Sequence, residues 1–165
     1  MKLKYLSSII IFLIPFAAQA QMCKSEDTKA DTHFLEIEPG IILDQRTNLE
    51  WQKCTVGFTG PDCKGGNIQT FSQETAFNKI VQINNQSQHK WRLPTIEELA
   101  TLVKNDCVAP AIDIKAFPNT LSSWYWSSTA DYSYYGYVDF SVGYIGEEDM
   151  YLSNPIRLVK ESEKK

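Results

Sequence analysis

The chain has 165 residues, with 16 Lys or Arg against 20 Asp or Glu, four cysteines and two histidines. A net-acidic chain without a basic run is a poor partner for nucleic acid or any other polyanion, because that binding needs Lys and Arg to neutralise phosphate or sulfate. The length suits one compact core, and no period of about 20 to 50 residues points to a solenoid.

In chain order, MKLKYLSSIIIFLIPFAAQA comes first. Lys2 and Lys4 precede an apolar run, and Ala18-Gln19-Ala20 forms an A-x-A cleavage site. Residues 1–20 are therefore expected to be a secretory signal peptide, with an apolar run too short for an ordinary membrane span. Met22 is not the small residue a lipidated Cys23 requires before it. Cleavage after Ala20 removes two of the 16 cations and leaves 14 against 20 acids, a net charge of −6. The remainder is expected to be exported, periplasmic or extracellular, with no membrane attachment.

Residues 21–33 read as an N-terminal arm, 34–160 as a single domain and 161–165 as a polar tail. All four cysteines lie beyond the signal peptide, and an even count in a small exported domain points to disulfides. Zinc is disfavoured because there is no C-x-x-C pair. Of the three possible pairings, Cys54–Cys63 closes a short loop holding Gly57, Gly60 and Pro61, and Cys23–Cys107 then ties the arm to the middle of the fold.

Phe34 to Glu38 alternates like a half-buried strand. Ile41-Ile42-Leu43 and Leu49-Glu50-Trp51 flank a turn in which Asn48 suits a left-handed position. Residues 54–69 read as a glycine-rich loop. Ser72 caps a first helix with Ala76, Phe77, Ile80, Val81 and Ile83 at helical spacing, ending near Asn84. In WRLPTIEEL, Pro94 keeps Leu93 extended, while Thr95 and Glu98 form a capping box for a second helix whose apolar face is Ile96, Leu99, Ala100 and Val103. Residues 105–123 form a long connection. Trp124-Tyr125-Trp126, Tyr137 to Val142 and Ile156 to Lys160 are strand-like, with Trp126, Val138 and Phe140 inward. Two helices early and strands at both ends predict an α+β domain with an antiparallel sheet.

DQRTNLEWQKC, WRLPTIEEL, CVAPAID with FPNT, SSWYWSST, YVDFSVGY and the closing IRLVK occur in that order. Together they resemble the Lcl C-terminal domain family, that of the Legionella collagen-like adhesin, from about Ile41 to Lys160. Asn48 stands where that family usually has glycine. The RLPT-x-x-E core and terminal RLVK are also similar to formylglycine-generating and related sulfatase-modifying enzymes. That wider resemblance implies a C-type-lectin-like fold, two helices packed on twisted antiparallel sheets, here stapled by disulfides. It makes Trp91, Arg92, Pro94, Thr95, Glu98, Trp126 and Arg157 structural, with Trp91 and Leu93 inward and Arg92 paired to a carboxylate or backbone carbonyls.

Formylglycine-generating enzymes work through cysteines late in the domain, whereas this chain has none after Cys107, so no activity carries over. His33 and His89 lack sequence partners for catalysis, and His89 reads as an exposed loop residue. No catalytic residue and no resident cofactor is expected. Two features remain. The run Asp131 to Gly136 reads as an exposed aromatic recognition loop, with Tyr132, Tyr134, Tyr135 and Tyr137 as candidate ligand contacts. Gly146 to Asp149 reads as an acidic loop, and Asp139, Glu147, Glu148 and Asp149 are candidate calcium ligands. The expected function is a non-enzymatic recognition or adhesion module for a cell-surface or extracellular glycan or protein, possible as an oligomer. The named adhesin binds sulfated glycosaminoglycans as an oligomer, but the acidity of this chain argues against that ligand. The alternatives are a protein–protein subunit of an envelope or surface-appendage complex, or an enzyme on this fold.

Overall fold

The computed structural model describes residues 21–24 and 33–162; the expected signal peptide, most of the arm and the end of the tail lie outside them. The fold is mostly antiparallel β with two helices and two disulfides. One sheet holds β2 (Phe34–Glu38), β3 (Ile41–Asp44), β4 (Leu49–Gln52) and β11 (Val159–Glu161) in the order β11-β4-β3-β2. A second holds β8 (Trp124–Asp131), β9 (Tyr134–Asp139) and β10 (Tyr144–Asp149) in the order β10-β9-β8. Two minor ladders join β1 (Met22–Cys23) to β7 (Cys107–Val108) and β5 (Phe58–Thr59) to β6 (Gly65–Gly66).

The β3–β4 turn follows from its residues. The wholly buried Asp44 carboxylate accepts from the Arg46 backbone N–H and the Thr47 hydroxyl, both at 2.9 Å, and Asn48 takes the left-handed conformation with φ 57°. Beside it, Glu50 and Lys160 form a buried ion pair across β4 and β11, and the Ser162 hydroxyl donates to the same carboxylate.

WRLPTIEEL behaves as its composition dictates. Arg92 bridges Val159 at the outer edge of β11, and Trp91 and Leu93 are buried. The chain then turns into α2 (Ile96–Ala100) through a complete capping box between Thr95 and Glu98. Arg92 donates twice to Glu98 and once to Glu161, each at 2.7 Å, and also to the Leu93 carbonyl. These bonds hold the Glu98 carboxyl below its ordinary value of 4.5, although its partial burial acts the other way. A carboxylate whose folded pKa is depressed stabilises the fold above its unfolded pKa and loses that contribution as pH falls through the folded one. Unfolding midpoints are therefore expected to fall on acidification below about pH 4.5, and Glu98→Gln is expected to flatten that part of the profile.

α1 (Gln73–Gln86) starts at Ser72, whose hydroxyl accepts from the Thr75 N–H. Its inward face differs from the one its apolar spacing predicts. Ala76 is buried and Ile80 and Ile83 are half-buried, but Phe77 and Val81 face solvent while Gln73 is buried. The start of the helix meets β8 where a bulge lies between Trp126 and Ala130. Gln73 donates to the Ser127 carbonyl at 3.1 Å, so the surface met by the start of the helix is polar backbone. α2 is also shorter than predicted. Val103 lies past its end and pairs with Ile112 in an isolated bridge.

Apolar clusters cover the middle of the three-stranded sheet on both faces, while the Trp124–Tyr144 end stays exposed. Tyr125 and Val138 point into one apolar cluster with Leu99, Phe117 and Trp51, and Trp126 and Tyr137 point into another with Trp91, Ile156 and Phe71. Trp126, Val138 and Phe140 are all wholly buried, as the sequence predicts, with Trp126 and Val138 on opposite faces.

Arg157 is wholly buried beside the first cluster. It donates to the carbonyls of Gln52 and Lys53 and to the hydroxyls of Thr55 and Thr120, and its guanidinium lies 4.9 Å from the Phe117 ring centroid. Among the described residues no carboxylate pairs with it. Burial pulls its pKa down to about 10, well above neutrality, so the cation is held by dipoles and an aromatic face alone.

Both disulfides have the expected pairing, Cys23–Cys107 and Cys54–Cys63. Disulfides fit an exported chain. No helix among the described residues is long and apolar enough to cross a membrane.

Candidate functional site

Residues paired across the three-stranded sheet define an exposed aromatic face. Trp124, Asp139 and Tyr144 form one cross-strand row, and Trp126, Tyr137 and Gly146 form the next row on the same face. Trp124 stacks on Tyr137 with ring centroids 4.4 Å apart and planes 10° apart. Tyr137 is buried, whereas Trp124 is 37% and Tyr144 62% exposed. The stack exists because β10 carries glycine at 146. A Cβ there would lie 2.5 Å from the Tyr137 hydroxyl and 3.0 Å from the Tyr144 ring. Gly146→Ala is therefore expected to push Tyr137 off its seat, lower stability by about 1–3 kcal/mol and disturb the aromatic face, as read by near-UV circular dichroism and thermal melts.

Tyr137 is the point where this face meets charge. Burial raises the pKa of its hydroxyl, and the neighbouring Tyr144, Glu148 and Asp139 raise it further. Glu148 shares the face through its pairing with Tyr135, in the row beyond the bulge.

The four candidate tyrosines do not form one loop. Residues 131 and 134–136 are strand, and only Tyr132 and Ser133 turn between β8 and β9. Tyr132 is 96% exposed at the tip with φ 51°. Tyr134 is exposed on the opposite face from Tyr137, while Tyr135 is half-buried against the second cluster. Tyr137 lies beneath Trp124. The residues that expose aromatic surface next to Tyr137 are Trp124 and Tyr144. The signal for them was present in the two-residue spacing of Trp124 and Trp126 and in a glycine within an otherwise strand-like run.

The acidic run is a correction of the same kind. Gly146 to Asp149 is the body of β10, not a loop, so Glu147 and Glu148 point to opposite faces. Asp139 accepts from the Ser141 N–H and Asp149 from the Tyr151 N–H. Among the described residues, no group of three or more His, Cys, Asp or Glu could hold a metal ion, so Asp139, Glu147, Glu148 and Asp149 do not converge on a calcium site.

A groove of about 820 Å³ lies elsewhere, between the Cys54 loop, the β2–β3 turn and the end of α1. Ile41, Val56 and Trp91 line it together with Glu36, Glu38, Lys79 and His89. His89 is half-buried with its ring 5.5 Å from Trp91, which corrects its reading as an exposed loop residue. Its ring bonds no carboxylate among the described residues. Glu36 is instead tied to Lys53 at 2.7 Å, which with the Gly40 N–H keeps its pKa low. His33 lies 3.9 Å from the buried Asp44 and is not among the residues that line the groove.

The family model for the Lcl C-terminal domain matches residues 40–160. The chain belongs to the Lcl C-terminal domain family. The match takes in the β3–β4 hairpin, WRLPTIEEL, the aromatic sheet and the terminal strand, so every part of the aromatic face lies inside the Lcl domain. No curated protein and no solved structure matches the chain.

Proposed function

We propose that this Lcl domain is an exported, non-enzymatic adhesion module of C-type-lectin-like architecture that binds carbohydrate on the Trp124–Tyr137–Tyr144 face. The observation that carries the reading is the Trp124–Tyr137 stack, seated on Gly146 and left partly open to solvent. Sugars present one apolar face of C–H groups and a rim of hydroxyls. A flat aromatic pair suits the first, and the carboxylates of Asp139 and Glu148 with the Tyr144 hydroxyl suit the second. Family membership supports a surface adhesin-like role.

The test is a glycan array probed with the oxidised protein and with Trp124→Ala and Tyr144→Ala. Reproducible binding lost in both variants supports the assignment. Binding that persists in both places the site elsewhere, and the groove at Trp91 is the next surface to mutate.

A second reading has its own observation. Phe77 and Val81 lie one turn apart on the solvent side of α1, and Leu35 and Ile37 are exposed on β2. The helical pair Phe77 and Val81 is read as the contact of a protein–protein subunit of an envelope complex, because apolar side chains one turn apart share one helix face. A blank array from folded protein, with specific recovery of an envelope partner that Phe77→Ser abolishes, favours that reading.

A further inference from the structure

We propose that the glycan taken by the Trp124–Tyr137–Tyr144 face carries free amines, as a deacetylated amino-sugar chain does, and is neither sulfated nor fully N-acetylated. This rests on the carbohydrate reading above and adds the charge of the ligand to it.

From Ala116 to Ile156 the chain has no Lys, Arg or His, but it has five carboxylates, Asp131, Asp139, Glu147, Glu148 and Asp149. That run supplies all three strands of the aromatic sheet. Asp139 lies in the same cross-strand row as Trp124 and Tyr144, and Glu148 lies on the same face beyond Gly146. Each uses one oxygen on a backbone N–H, that of Ser141 for Asp139 and that of Asp149 for Glu148, leaving the other oxygen for a ligand. The groups acting on the Tyr137 hydroxyl are Tyr144, Glu148 and Asp139, with no cation among them. The strands of the aromatic face therefore carry negative charge only.

The charge of the ligand follows from that sign. An ammonium beside a stacked sugar ring is attracted both by the aromatic quadrupole and by the two carboxylates. A sulfate in the same place is repelled by both. An N-acetyl group keeps the stacking but gives up the charge, so it separates the two contributions.

The deciding experiment titrates the oxidised protein at mildly acidic pH with a glucosamine hexamer, an N-acetylglucosamine hexamer and a heparin-derived hexasaccharide. The glucosamine hexamer is expected to bind about tenfold tighter than its acetylated counterpart, with an advantage that shrinks as salt rises. The double variant Asp139→Asn, Glu148→Gln is expected to erase the preference, bringing the two hexamers to equal affinity. Trp124→Ala is expected to abolish both. Equal affinity for the two hexamers, or tightest binding of the heparin fragment, overturns the charge inference and leaves the carbohydrate reading standing. Glucosamine binding that survives Trp124→Ala is simple polycation attraction and overturns it as well. No binding by any of the three, from protein with native near-UV dichroism, removes the carbohydrate reading together with the inference.

Discussion

Replacing Cys23 and Cys107 together by alanine is expected to lower the unfolding free energy by about 4–5 kcal/mol, the largest loss from any local change in this chain. The bridge spans 84 residues, nearly the whole length of the fold up to the end of α2 and beyond it, against 9 for Cys54–Cys63. Chain entropy makes the loss grow with the logarithm of the closed loop, so removing the shorter bridge is expected to cost only about 2.5–3 kcal/mol. The folded state gives the same ranking little help. Beyond the bridge, Met22–Cys23 is held by a two-residue ladder to β7, a Lys24 N–H bond to the Asp106 carbonyl and Gln21 bonds to Pro110 and Ile112. Chemical denaturation of the two double variants, side by side under oxidising conditions, checks the order. Equal losses would show that the unfolded chain is already compact around the arm.

Arg157→Met is expected to destabilise by about 3 kcal/mol, with Arg157→Lys nearly as damaging. Two effects oppose one another here. Removing a wholly buried cation relieves a desolvation cost, and burial has already pulled its pKa down to about 10. Against that, the Lys53 carbonyl and the Thr120 hydroxyl each lose a donor in the interior, and Phe117 loses the guanidinium on its face. Unmet buried acceptors at about 1–3 kcal/mol each outweigh the relief. Lysine keeps the charge but offers a point donor where the fork reaches Lys53 on one side and Thr120 on the other. The readout that separates this from general destabilisation is local. Hydrogen exchange is expected to rise first at residues 52–58, the strand end and loop that Arg157 pins, before it rises in the β8–β9–β10 sheet. Uniform exchange across the molecule would mean that Arg157 holds the whole core and not one corner of it.

Elements that rest on short-range chemistry were legible from the sequence. Asn48 and the β3–β4 turn, the Thr95–Glu98 capping box with Pro94 before it, Ser72 as a cap and both disulfide pairs depend on residues near one another or on simple counting. The buried Trp126, Val138 and Phe140 followed from strand alternation, and the buried Trp91 and Leu93 from the family resemblance. The family resemblance likewise rested on an ordered series of motifs, which the Lcl match over residues 40–160 bears out.

The candidate site was legible only in part. Its aromatic richness was visible, but the residues first favoured, Tyr132, Tyr134, Tyr135 and Tyr137, are spread over a tip, two opposite faces and a buried position. Which tyrosine faces solvent depends on register, and register depends on strands that the sequence showed as loops. The acidic run failed for the same reason, because a strand sends alternate carboxylates to opposite sides.

Composition and local chemistry by themselves determined that this is a net-acidic domain, stapled twice and built of helices and antiparallel strands, with capped helices and a tight hairpin. Only the tertiary structure decided that Gln73 and not Phe77 is buried, with the Gln73 amide on the Ser127 carbonyl where β8 bulges. It also decided that Trp124 covers Tyr137, that Gly146 makes room for the pair, and that Arg157 is enclosed with no carboxylate partner among the described residues. Each of these depends on what another strand or loop, distant in sequence, presents across the contact, and spacing within one segment carries no information about that partner.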